Sequence, residues 1–285
     1  MNLNLLPSPL NSFRLAIALA LAVSIATPAQ DQSPLLSAGE LINAVAANEL
    51  ADRLLQRKWM YTIEKRDGKQ TNTEEQVDSK DGPLYRLLAI DGQPLNPDQR
   101  RQDDSRVDRL LHNPGQQLKF KQAYDEDELK LEKLLRVMPD AFLYEFDGFD
   151  GELARLQFRP NPTYNPSTFE ARVVHNLAGT ILIDPAQKRL VKLSGKVISR
   201  VDFGFGFLGH IDEGGTMEFG RVAVASKQWK TALINIQLSG RMVIFKTVDK
   251  QQYETRSEFR LVPGDLSLSD ANALLLSPTF SRAGL

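Results

Sequence analysis

The chain contains no cysteine among its 285 residues. That excludes disulfides, thiolate metal sites and a cysteine nucleophile. It also excludes the acylated cysteine of a lipoprotein. Histidine is scarce: His112, His175 and His210 stand far apart, and none falls in H-E-x-x-H or a comparable ligand spacing. No G-x-S-x-G elbow and no Walker loop occurs. These absences predict no metal, no cofactor and no catalytic site, so the chain is not expected to be an enzyme. There is no excess of basic charge, the net being −1, and hence no reason to expect a nucleic-acid partner. Aromatic residues make up 8%, thin for the two girdles of an outer-membrane barrel.

What is present begins with a leader. MNLNLLPSPLNSFR carries a single charge, Arg14, and is followed by the apolar run from Leu15 to Ala26 and then by TPAQ. A positive n-region, an apolar h-region and small residues at a cleavage site describe a secretory signal peptide. The run falls short of the ~20 apolar residues that a membrane span needs. Residues 1–29 are therefore expected to be a signal peptide, with Thr27 and Ala29 at the −3 and −1 positions. Residues 30–285 are expected to be one exported, periplasmic domain. At 42% apolar and 25% charged residues, that domain has the composition of a globular protein with a sizeable core.

The first element is helical. SAGE, Ser37 to Glu40, has capping-box spacing, and Leu41, Ile42, Val45, Ala46, Leu50 and Leu54 recur on one face. The spacing predicts a helix over about 37–57. The period then changes to two. Trp59, Tyr61 and Ile63 alternate with Met60, Thr62 and Glu64, and Asp-Gly pairs at Asp67, Asp81 and Asp91 punctuate three antiparallel strands. A charged helical insertion covers about 96–138. Its first half starts near Pro97 and stops at Asn113-Pro114-Gly115. Its second half carries a stripe of Leu131, Leu134, Leu135 and Met138 that Pro139 ends.

Everything after Pro139 reads as a long antiparallel meander with one apolar and one wet face. Phe142, Tyr144 and Phe146 alternate, as do Ala154, Leu156 and Phe158. Val191, Leu193, Val197, Val201 and Phe203 share one face of a long strand. Ala232, Ile234, Ile236 and Leu238 alternate before a turn at Ser239-Gly240. Tyr253, Thr255, Ser257, Phe259 and Leu261 face away from Glu254, Arg256, Glu258 and Arg260. The total is ten or eleven strands.

GFGFLG, Gly204 to Gly209, matches the dinucleotide fingerprint G-x-G-x-x-G. That fingerprint requires a following helix whose N-terminus holds the pyrophosphate. Here HIDEGG and the strand-like TMEFGRVAV follow instead, so no nucleotide is expected. The stretch reads as a bend between two long strands. Asp147, Asp150 and Glu152 belong to D-G-x-D-G turn chemistry, and His210, Asp212 and Glu213 to a solvated turn. FRPNPTYNP, Phe158 to Pro166, reads as a stiff connection.

FRPNPTYNP, VVHNLAGTILIDPAQKRLVKLSGKV and VDFGFGFLGHIDEGGTMEF, set in this order of elements, resemble the LolA/LolB-like superfamily of periplasmic lipoprotein carriers. The resemblance implies a mainly β fold with α, an unclosed antiparallel half-barrel covered by the N-terminal helix and a helical lid. It implies an apolar cavity for lipid or lipoprotein acyl chains, with envelope membrane proteins as further partners. The cavity would take Trp59, Tyr61 and Leu88 from the early strands, Leu131 and Leu135 from the lid, and Phe142, Phe146 and Phe158 from the first strands of the meander. Val197, Val201, Phe203, Phe205 and Phe207 would follow, with Ile234 and Ile236 near the end. The implied activity is outer-membrane lipoprotein sorting; an envelope sensor on the same fold is the alternative.

Overall fold

The computed structural model describes residues 36–55, 58–203, 209–242 and 246–277. The leader, Phe205 and Phe207 lie outside them. Leu36–Leu285 forms one compact unit.

Helix α1 runs Ala38–Leu54. The Ser37 hydroxyl accepts the Glu40 N–H while the Glu40 carboxylate accepts the Ser37 N–H, so both ends of the box close. Strands β1 (Lys58–Asp67), β2 (Gln70–Ser79) and β3 (Gly82–Ile90) follow, then a two-residue β4 (Gln93–Pro94). Helix α2 is Pro97–Leu111, capped by Asn96 and Gln99. Helix α3 is Pro114–Ala141. Two expectations change here. Asn113-Pro114-Gly115 opens α3, because Asn113 accepts the Gln116 N–H and Pro114 needs no N–H partner in the first turn. Pro139 lies inside the helix, so the insertion reaches Ala141.

The remaining elements are β5 (Phe142–Asp150), β6 (Leu153–Pro160), α4 (Phe169–His175), β7 (Leu177–Asp184), β8 (Arg189–Val197), β9 (Val201–Phe203), β10 (Gly209–Ile211), β11 (Thr216–Ala225), β12 (Gln228–Met242), β13 (Lys246–Val262) and α5 (Leu268–Leu275). The meander is thus interrupted by α4 and followed by α5, whose N-cap Ser267 forms a second complete capping box with Asp270. The expected long strand is β8 plus β9, broken at residues 198–200. GFGFLG connects two three-residue strands that pair with each other, not two long ones. The Ser239-Gly240 turn is absent. Gly240 continues β12, and a Cβ there would lie 2.2 Å from the His210 carbonyl oxygen of the neighbouring β10.

The strands make one 13-stranded sheet in the order β4-β3-β2-β1-β13-β12-β11-β8-β7-β6-β5, with β9 and β10 attached beside β12. Every pairing is antiparallel. The sheet is not closed. The count exceeds the expected ten or eleven because β4, β9 and β10 are too short for alternation to reveal. The edge strands β4 and β5 are consecutive in the chain, so α2 and α3 connect one edge of the sheet to the other.

Register follows face by face. Tyr61, Arg256, Ile234, Phe219, Leu193, Ile181 and Leu156 come from successive strands and share a face; here it is the inner face, against which α1 lies. On the opposite, outer face Met60, Val77, Leu84 and Val262 form a second core with Val107 of α2 and Leu268, Ala271 and Leu275 of α5. Helix α2 also shields the β3 edge: Asp103 accepts the Leu87 N–H and Arg106 donates to the Tyr85 carbonyl. Among the described residues, no helix is long and apolar enough to cross a membrane.

Candidate functional site

The inner face has an apolar and a polar half. The apolar half is built from β5–β8, β11 and β12. Phe142, Phe158, Val197, Val201 and Ile236 are buried there in one cluster with Leu41, Ile42 and Val45 of α1, and Ile234 packs against it. The rings of Phe142 and Phe158 meet edge to face at 5.3 Å. Six of the residues expected to line a cavity are therefore brought together, under α1. The other expected residues lie elsewhere. Trp59 and Tyr61 sit in a separate small cluster with Ile63, Val224 and Phe259. Leu88 is the extra residue of a β-bulge opposite Thr73 and Glu74, which leaves it 40% exposed. Leu131 is 44% and Phe146 47% exposed, while Leu135 is half-buried on α3. Phe203 closes the β9 strand opposite Gly209.

Helix α1 is tied down by charge at its C-terminal half. Glu49 is buried and pairs with Arg221, and lies 3.6 Å from Arg189. Asp52 binds the same Arg189 at 2.9 Å. Helix α3 is held far more lightly. Of its 28 residues only Ala141 is fully buried. The helix packs mainly against α1; Glu128 pairs with Arg53 of α1, Phe120 rests over Gly82, Met138 packs against the apolar cluster, and Tyr144 donates to the Met138 carbonyl. Asn161, in the FRPNPTYNP connection, donates its side-chain amide to the Asp140 carbonyl and its backbone N–H to the Ala141 carbonyl.

The polar half, on β1, β2, β12 and β13, escaped the sequence reading. A bulge explains why. Between Met60 and Thr62 of β1 the partner strand advances from Arg260 to Ser257, one residue too many, and Glu258 takes φ 56°. Parity flips across this point. Glu254 and Arg256 therefore share the inner face with Phe259 and do not oppose it as strict alternation required. The Arg256 guanidinium lies 5.6 Å from the Tyr61 ring and bonds Glu254 at 2.5 Å. Asp78 accepts from the Trp59 N–H at 3.3 Å and from the Tyr61 hydroxyl at 3.4 Å. Gln76 donates to the same hydroxyl. The Lys230 ammonium stands over Trp59 at 5.7 Å and that of Lys58 over the Tyr124 ring of α3 at 5.9 Å.

Burial governs the ionisation of this group. It raises Asp78 above the usual carboxylate range, against the pull of Lys230 and Lys58. It lowers Lys230, with Asp78 working the other way. Burial, then the Asp78 charge, raises Tyr61, and burial with Glu128 pushes Tyr124 up to about 12. Arg256 ends above its usual value because Tyr61 and Glu254 outweigh the burial that opposes its charge.

Two depressions among the described residues lie on the outer face. One of about 400 Å³ is floored by Ala178, Ser194, Thr216 and Asn235; one of about 140 Å³ lies between Arg66, Gln237 and Tyr253. Among the described residues no group of His, Asp or Glu is placed to hold a metal. Asp147 is engaged by Arg155 at 3.3 Å and Gln157 at 2.9 Å.

No known protein family, curated protein or solved structure matches this chain. Its function must be argued from the site alone. What the site offers is an apolar surface under α1, continuous through Ile234 and its register partner Glu254 with a polar, cation-bearing patch.

Proposed function

We propose that this protein is an exported, periplasmic carrier of acyl chains, on a LolA/LolB-like half-barrel in which α1 and α3 act as a lid. The observation that carries this reading is topological. The two edges of an unclosed sheet are joined through α2 and α3; α1 covers the apolar inner face, and α3, which buries only Ala141 fully, packs against α1. A helix that buries one residue fully is inexpensive to displace, since stability follows buried apolar area at ~25 cal/mol per Å².

Energetics favour such a cover in a carrier. Burial of an acyl chain is worth ~0.8 kcal/mol per CH₂, so several long chains would exceed the ~18–21 kcal/mol ceiling of non-covalent affinity. A carrier that must release its cargo offsets part of that gain by covering its own lining when empty, and α1 with Leu41, Ile42 and Val45 does so. The test is fluorescence of an apolar naphthylamine dye titrated with the protein. Saturable enhancement, competed by phospholipid, is expected. A flat titration, with the fold intact by circular dichroism, contradicts the reading.

A further inference from the structure

Where β1 begins, the polar group around Asp78 holds an imbalance of charge that the lid reading leaves unused; Lys58 reaches it from the first residue of β1, opposite Val262 of the outer core, and Lys230 from β12. Arg256 is neutralised by Glu254 at 2.5 Å, and Lys65 by Glu74 at 2.9 Å. Arg53 and Arg221, nearby, are taken by Glu128 and Glu49. Lys58 and Lys230 are left. Both act electrostatically on Asp78, yet neither makes an ion pair with a described residue, and each ammonium instead stands over an aromatic ring. Two partly buried cations thus face one carboxylate. A half-buried cation loses hydration and gains from any anion brought to it.

The location gives that anion its character. Arg256 is opposite Ile63 of β1, and Glu254 is opposite Ile234 of β12. From Ile234 the apolar half extends through Ile236 to Phe158 and Phe142. An occupant that satisfies both halves has an anionic head and an apolar tail.

Resting on the acyl-chain reading, we infer that Lys58 and Lys230 form the head-group subsite for an anionic amphiphile, a lipid with a carboxylate or phosphate head, whose tail takes the apolar half. Lys58 comes from the first residue of β1 and Tyr124 from α3, so the subsite spans sheet and lid. An anion bound there bridges the two and couples cargo loading to the position of α3.

The experiment uses the full mature chain with cis-parinaric acid and its methyl ester, which differ in charge and share a tail. The acid is expected to bind about tenfold tighter than the ester, the size of effect of one charge-assisted hydrogen bond. Lys58→Met and Lys230→Met keep the apolar stem, and each should lower acid affinity while leaving ester affinity unchanged. Lys230→Arg should retain the preference, which separates lost charge from lost folding. Lysophosphatidic acid should displace the probe at concentrations where inorganic phosphate does not. Equal binding of acid and ester by the unsubstituted protein overturns the head-group subsite and leaves the acyl-chain reading standing. Survival of the preference in both methionine variants overturns the assignment to these lysines. Displacement by inorganic phosphate alone overturns the amphiphile. Failure of both probes to bind removes the acyl-chain reading, and this inference with it.

Discussion

At the scale of single residues, backbone closeness and buried charge set the constraints. Gly179 of β7 faces Gly195 of β8 across the ladder. A Cβ on Gly179 would lie 1.9 Å from the Ser194 carbonyl oxygen, a clash with main chain that no side-chain movement relieves. Gly179→Ala is expected to destabilise the fold by at least ~1–3 kcal/mol, the range for overpacking, measured by urea denaturation. Asp78 makes a prediction of the opposite kind. Its folded pKa is raised by burial above the ordinary 3.8, so the folded state binds more protons than the unfolded one between those two values. The contribution of Asp78 to stability is then full below about pH 4 and is lost as pH climbs through its folded pKa. Glu75 is also raised by burial and adds a slope of the same sign. Asp78→Asn should therefore reduce this fall without abolishing it, read from melts at pH 4 to 7. An unaltered slope would show that Asp78 ionises as it does in water.

At the scale of elements, sequence and structure agree where a local rule acts and part where partners decide. Helix α1 was legible because its capping box and its apolar spacing act within one segment; Ser37→Ala should cost ~1 kcal/mol. The first three strands were legible from alternation and Asp-Gly turns. The bulges at Leu88 and Glu258 were not, because an extra residue is defined by the strand opposite, and the bulge at Glu258 inverted the faces read from strict alternation. That inversion hid Glu254 and Arg256 in what looked like a solvated face. Leu131 shows the same limit on a helix. Its stripe was apparent, but Leu131 itself is 44% exposed, while Leu134, Leu135 and Met138 of the same stripe are half-buried and Phe120 packs against the outer core. The Arg53–Glu128 pair joining α1 to α3 is partly exposed, and such pairs are worth ~0.2–1 kcal/mol. Under the carrier reading, Glu128→Ala should raise the apparent affinity for an apolar dye up to about fivefold by loosening α3. A lower affinity would mean that α3 forms part of the binding surface and does not restrict entry to it.

At the scale of the whole molecule, the arrangement of strands organises everything else. The mainly antiparallel character was readable from the meander, whereas an unclosed sheet was what the resemblance to the LolA/LolB-like superfamily implied. The pairing of β1 with β13 was not, since it joins segments almost 200 residues apart and no local pattern specifies which distant strands meet. That pairing puts β4 and β5 at opposite edges, so that the charged helical insertion is the bridge from one edge to the other. The acyl-chain reading stands on this bridge and on the apolar cluster under α1. Native mass spectrometry of the protein purified from cell envelopes addresses it directly. The account predicts a bound population heavier than the mature chain by the mass of an acyl lipid, removable by delipidation and restored by added lipid. Only the bare chain, both as purified and after incubation with acyl lipids, would contradict it.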